Sequence, residues 1–210
     1  MKAYRDIDDL RERHRSKQRA IRKSLMEYAA VPERQYFYEL VYCLMTPQSS
    51  AVNAHKAQAV FEQLGLRDRD VDPEPVLFTK QHYIRFHRTK AKHIIEMKGK
   101  FSLIFSVITG PMTAPEKREW LVKNVKGLSD KEATHFLRNI GKNDGLAILD
   151  RHILKHLVRH RVIGSIPATL TRNRYHTIER KFQRFAGDIG IPIDELDLAF
   201  WSNETGEILK

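Results

Sequence analysis

One cysteine, Cys43, is all the thiol chemistry this chain of 210 residues contains. That excludes an internal disulfide, a four-cysteine zinc site and a four-cysteine iron–sulfur cluster. Cys43 lies in the apolar run LVYCLM, where a buried, inert thiol is expected. No stretch of about eighteen apolar residues is present, as a membrane-spanning helix would require. The opening residues, MKAYRDIDDLRERHR, lack the apolar centre of a secretory signal. The chain is therefore expected to work in the cytoplasm, away from membranes. Long segments alternating apolar and polar residues are missing too, which removes the signature of half-buried strands. Neither an internal repeat nor a low-complexity linker divides the sequence.

Positive charge, in contrast, is abundant and uneven. Lys and Arg number 37 against 26 Asp and Glu, a formal net charge of +11, and such a balance favours a polyanionic partner, nucleic acid first. From 151 to 185 stand nine basic residues, Arg151, Lys155, Arg159, Arg161, Arg172, Arg174, Arg180, Lys181 and Arg184, and one acid, Glu179. A second basic stretch, RERHRSKQRAIRK, lies near the N-terminus. With 41% hydrophobic residues the chain can still bury a substantial core.

Apolar residues recur at helical spacing, punctuated by Gly and Pro, and predict an all-α protein. Helices are expected near 7–28, 33–45, 47–64, 89–108, 114–124, 131–140, 151–161, 171–187 and 193–202, with 66–78 as a loop. Thr46 suits an N-cap and Pro47 a first helical position, so a helix should start at Pro47. In KGLSDKEATHFLRNIG, Ser129 and Glu132 have capping-box spacing, Ala133, Phe136, Leu137 and Ile140 share one face, and Gly141 can end the helix. Lys131 then falls in the first turn. Asp150 precedes RHILKHLVRHR, whose apolar face is Ile153, Leu154, Leu157 and Val158, so its carboxylate can cap that helix.

The helix APEKREWLVKNV, the tight break KGLS and the helix after it form a helix–hairpin–helix pattern. Gly127 lets backbone N–H groups approach a phosphate, and the second helix adds the positive end of its dipole. Turns of this kind also serve packing alone, and both readings stay open. Lys131 faces that positive end, which favours a neutral, nucleophilic amine; Asp130 and Glu132 act in the opposite sense. An amine at Lys131 and a carboxylate at Asp150 fit attack on a nucleotide sugar. The amine would displace a base from the anomeric carbon, form a Schiff base and permit β-elimination of the strand. The carboxylate would stabilise a sugar cation or handle protons, although a helix cap alone fits the same letters. His152, His156 and His160, spaced by four, share a helix face beside the cationic row Arg151, Lys155 and Arg159. That row repels a divalent ion, so a DNA-facing surface is expected there and no metal site.

The hairpin, its lysine and the aspartate nineteen residues later resemble the helix–hairpin–helix superfamily of DNA glycosylases. More narrowly, VKGLSDKEATHFLRNIG, LAILDRHIL and the ending WSNETGEILK resemble the type-2 8-oxoguanine DNA glycosylases, and the similarity runs from YELVYCLMTPQSSA to the last residue. The resemblance implies base excision repair: excision of 8-oxoguanine coupled to AP lyase cleavage, with Lys131 as nucleophile, Asp150 as its partner, and no cofactor. It implies two helical lobes with the active cleft between them. One would span 33–145, including the helix–hairpin–helix at about 114–141; the other would join 1–32 to 146–210. The partner would be double-stranded DNA containing 8-oxoguanine, bound by a monomer at the nucleoid. Gly127, Ser129, Arg151 and Lys155 would meet the DNA backbone. Phe86, Trp201 and Lys210 would meet the flipped base; in TPQSSA, Gln48 or Ser49 is placed to enter the duplex beside it, and plain N-capping fits the same letters. Ser129 stands where many hairpins of the superfamily carry a second glycine, and the four clustered cysteines of its iron–sulfur members are absent.

Two alternatives remain at this point. A non-catalytic helix–hairpin–helix DNA-binding module would use Gly127 and the basic faces but not Lys131 with Asp150. A glycosylase for a different damaged base would keep that pair and change the pocket.

Overall fold

The computed structural model describes residues 4–205, with side chains through Ser202, and contains no strand among them. In chain order the helices are α1 (Ile7–Ala29), α2 (Tyr36–Met45), α3 (Ala51–Leu64), α4 (Pro73–Leu77), α5 (His87–Gly99), α6 (Phe101–Thr109), α7 (Ala114–Asn124), α8 (Asp130–Asn139), α9 (Arg151–Arg159), α10 (Arg172–Ile189) and α11 (Ile193–Thr205). They divide into two compact units, Val31–Lys142 and Met1–Ala30 with Asn143–Lys210. No described helix is long and apolar enough to cross a membrane.

The unit Val31–Lys142 is built around α2. Its sequence, YFYELVYCLM, is apolar on nearly every side, the composition of a helix without a wet face, and all ten residues are buried. Helices α3, α5 and α8 pack against it. The one charge in α2, Glu39, accepts hydrogen bonds from Gln58 Nε2 of α3 at 3.3 Å and Asn139 Nδ2 of α8 at 3.0 Å. A buried carboxylate needs such partners to offset lost hydration, so this one ties three helices in register. The stripe Ala133, Phe136, Leu137 and Ile140 is buried, and so is Cys43, whose thiol burial pushes well above its ordinary range.

Three boundaries here depart from the periodicity. No helix starts at Pro47: Thr46 closes α2, its hydroxyl donating back to the Cys43 carbonyl at 3.0 Å. Gln48 then turns left-handed, at φ 54°, and α3 begins at Ala51 with Ser50 as its cap. The single helix expected over 89–108 is two. The chain breaks at Lys100 after Gly99, a weak helix former, and the break lets Phe101 pack edge-on against Phe37 at 5.1 Å. Within the expected loop, Asp72 caps the short α4, accepting from Glu74 N–H at 3.0 Å, with Pro73 in the first turn.

In the other unit, α9, α10 and α11 share a core of Ile153, Leu154, Leu157, Phe182, Phe185 and Phe200, joined by Leu10 of α1. Glu195 of α11 binds α1 through His14 Nε2 at 2.6 Å and Arg22 Nε at 2.8 Å. Burial alone would raise that carboxyl; the hydrogen bonds from Arg22 and His14 outweigh it and hold it below its usual value.

Asn139→Ala takes one donor from the buried Glu39 carboxylate and is expected to cost about 2 kcal/mol. Urea unfolding should show a lower midpoint at unchanged slope; an unmoved midpoint would show that Glu39 does not hold α8.

Candidate active site

The hairpin is assembled from caps. Helix α7 opens with a capping box in which Thr113 N–H donates to Glu116 Oε2 at 2.8 Å and Glu116 N–H to Thr113 Oγ1 at 3.4 Å. The chain then turns at Gly127, with φ 92°, where a β-carbon would lie 2.6 Å from His93 Nδ1 and 3.1 Å from Leu44 Cδ2. Both conformation and space demand glycine there. Ser129 caps α8, its N–H donating to Glu132 Oε2 at 3.2 Å and its hydroxyl to the same carboxylate.

Those caps decide what the sequence DKE presents. Asp130 faces inward, 3.7 Å from Arg118 Nε. Glu132 is engaged by Ser129. Lys131, between them, keeps 30% of its side chain exposed, with Nζ 3.4 Å from Glu132 Oε1. An amine held this loosely can reach an outside electrophile, whereas its two acidic neighbours are committed to the fold.

Asp150 belongs to the other unit, and two side chains of α10 set the segment leading to it. Glu179 Oε1 accepts from Ala147 N–H at 3.0 Å. The Tyr175 hydroxyl donates to the Ala147 carbonyl at 2.5 Å and accepts from Leu149 N–H at 3.2 Å. The Asp150 carboxylate is then divided: Oδ1 caps α9, accepting from Ile153 N–H at 2.8 Å, while Oδ2 accepts from Trp201 Nε1–H at 3.1 Å. Asp150 and Trp201, read from distant stretches, are thus directly bonded, and the His152 ring meets Trp201 edge-on at 6.4 Å.

Gln48 and Phe86 share an unusual backbone. Both are exposed non-glycine residues with positive φ, 54° and 59°, a conformation that is strained for a bulky side chain and is found preferentially at functional positions. Gln48 therefore sits in a turn, not in the first turn of a helix. Phe86 is 50% exposed, with the Arg85 guanidinium 4.9 Å from its ring centre.

All nine basic residues from Arg151 to Arg184 are exposed, while the single acid among them, Glu179, is buried. The solvent-facing charge of this stretch is thus wholly positive. The histidine face is a correction: His156 and His160 are buried, not turned outward. His156 stacks on Phe200 at 4.4 Å, and His160 Nδ1 lies 2.8 Å from the Arg5 carbonyl. Burial holds His160 below its usual value. The apolar face of α9 faces the core, and the i+4 spacing carries these rings inward with it. Among the described residues no group of three or more His, Cys, Asp or Glu is arranged to hold a metal ion. Lys210 lies outside the described residues.

Sequence reasoning missed Tyr175, Glu179 and Lys90. Glu179 did carry a signal, as the lone acid in a basic run. Tyr175 bonds the backbone of Ala147 and Leu149, and Lys90 Nζ donates to the backbone carbonyls of Met45 and Pro47; these partners are far away in sequence, and nothing local marks either residue.

A family model described as 8-oxoguanine DNA glycosylase matches residues 20–191. The 8-oxoguanine DNA glycosylase/AP lyase of Fusobacterium nucleatum is 42% identical over 177 residues, covering 82% of this chain and 81% of that one. That of Methanocaldococcus jannaschii is 33% identical over 193 residues, 90% of this chain and 91% of that one. Among solved structures, the M. jannaschii 8-oxoguanine glycosylase/lyase in complex with 15mer DNA containing 8-oxoguanine superposes with a TM-score of 0.86 at 32% identity, covering 97% and 99% of the two chains. The Thermotoga maritima 8-oxoguanine DNA glycosylase gives 0.85 at 27% identity, covering 97% and 98%.

Gly127→Ala places a β-carbon against His93 in a left-handed turn, and is expected to destabilise by more than about 1 kcal/mol. Thermal melting should show the loss; an unchanged melting temperature would mean the turn can reshape without glycine.

Proposed function

Because the chain belongs to the 8-oxoguanine DNA glycosylase family, we propose that it excises 8-oxoguanine from double-stranded DNA and then cuts the abasic strand, with Lys131 as nucleophile. The Lys131 amine attacks the anomeric carbon, and the glycosidic bond breaks with its electron pair leaving on the base. Loss of the amine proton and opening of the C1′–O4′ ring bond, with O4′ taking up a proton, give the iminium; it then loses a proton from the adjacent sugar carbon, and β-elimination expels the 3′ phosphate. Asp150 stabilises the positive charge that develops on the sugar and relays protons to and from the amine. Its two hydrogen bonds, from Ile153 N–H and Trp201 Nε1–H, fix the direction of the carboxylate.

Gly127 and Ser129 at the hairpin, with Arg151 and Lys155 on α9, meet the DNA backbone; Gln48, Phe86, Trp201 and Lys210 meet the flipped base. The exposed basic stretch supplies sequence-independent affinity. The protein acts at the nucleoid as a monomer. The observation that carries this reading is the placement of Lys131, the one member of its DKE triplet left partly exposed at the hairpin.

Lys131→Gln is expected to abolish base release and borohydride trapping while leaving DNA affinity near that of the parent; normal trapping would refute the mechanism. Asp150→Asn keeps a capping residue and should slow single-turnover excision by about a hundredfold or more, whereas Asp150→Ala should also cost about 1 kcal/mol in a thermal melt. With about six phosphates contacted, log affinity should fall with log salt at a slope of roughly −5. A flat response would remove the basic surface from the account.

A further inference from the structure

Lys90, on α5, is 5% exposed, an uncommon place for a lysine unless its charge is fully partnered. Its Nζ donates to the carbonyls of Met45 at 2.6 Å and Pro47 at 2.7 Å, and to Ser49 Oγ at 3.0 Å. An ammonium has three hydrogens, and here each has an acceptor on the turn that leaves α2. Ser49 Oγ accepts a second bond, from Arg85 N–H at 3.0 Å, and Asn53 Nδ2 reaches the Tyr83 carbonyl at 3.2 Å. The turn at 46–50 and the segment at 83–86 are therefore bonded into one assembly. Each half carries one exposed, left-handed, non-glycine residue, Gln48 and Phe86. Such conformations persist only where surrounding bonds over-determine them, and Lys90 lies at the centre of those bonds.

We propose that Lys90 is a positioning residue, a clamp that holds Gln48 and Phe86 in their left-handed conformations so that both are set for an extrahelical base before DNA arrives. This rests on the reading that those two side chains meet the flipped nucleotide. Preorganisation of this kind spares binding the cost of ordering the turn.

The clamp has a pH limit. Burial lowers Lys90 from 10.5 to about 8; the Glu132 carboxylate on α8 acts on it in the opposite sense. Above that pH the neutral amine offers two hydrogens to three acceptors, and the clamp loosens. Stability moves the other way. The folded-state value lies below that of a free lysine, so between about 8 and 10.5 the unfolded chain binds more protons and the Lys90 contribution to stability rises with pH. Activity lost in that window through the clamp is therefore not loss of fold.

The test compares the full chain with Lys90→Met. Amide hydrogen exchange is expected to accelerate at 46–50 and 83–87 and nowhere else. The ratio of 8-oxoguanine excision to cleavage of a preformed abasic site should fall by about tenfold or more, and the alkaline limb near pH 8 should vanish from the variant's excision profile. Unchanged exchange overturns the clamp, and accelerated exchange with an unchanged ratio overturns its positioning role. A parallel fall in both activities reduces Lys90 to general structure and also overturns it. If wild type excises no 8-oxoguanine, the functional reading fails while the exchange comparison still decides the clamp. Should Lys90→Met not fold, Ser49→Ala removes the acceptor shared by Lys90 and Arg85 and carries the same expectations for exchange and for the activity ratio.

Discussion

The Glu132 carboxylate is the constraint on which the hairpin unit depends. It closes the cap of α8 through Ser129, and that cap sets where the helix starts and which residue of the first turn points out. It lies 3.4 Å from Lys131 Nζ, near enough to hold the amine at the helix mouth and weak enough, for a partly exposed pair, to release it. Its charge also reaches Lys90. One group thus serves several ends: the negative charge that satisfies the helix end also lies beside the Lys131 amine and acts on Lys90.

In the other unit the same economy appears with different parts. Glu179 is buried on backbone N–H, so it organises the approach to Asp150 without interrupting the positive surface of α9 and α10. An exposed acid at that place would screen the basic stretch locally; an inward one leaves the solvent-facing charge of the stretch positive. Trp201 adds a fixed N–H donor to Asp150, which locks a carboxylate that a helix cap alone would hold by a single oxygen.

What was legible in the sequence was what local chemistry decides. The Ser129 and Glu132 spacing, the apolar stripe of α8, the bounds of α7 and the capping role of Asp150 all follow from neighbours within one or two turns. The all-α fold and the family followed from the same features. What stayed hidden required partners distant in the chain. Thr46 and Pro47 look like a helix start, but the Thr46 hydroxyl is used backward on α2 and the Pro47 carbonyl is taken by Lys90, forty-three residues away. The histidines of α9 were grouped correctly on one face, yet spacing alone does not say whether that face meets solvent or Phe200.

The proposed mechanism requires that the Lys131 amine form the covalent bond to the sugar. It is tested most directly by reducing the complex with an 8-oxoguanine duplex in borohydride, digesting it, and locating the sugar remnant by mass spectrometry. A single modified residue, Lys131, is expected. A remnant on Lys90, on another lysine or on the terminal amine would contradict it.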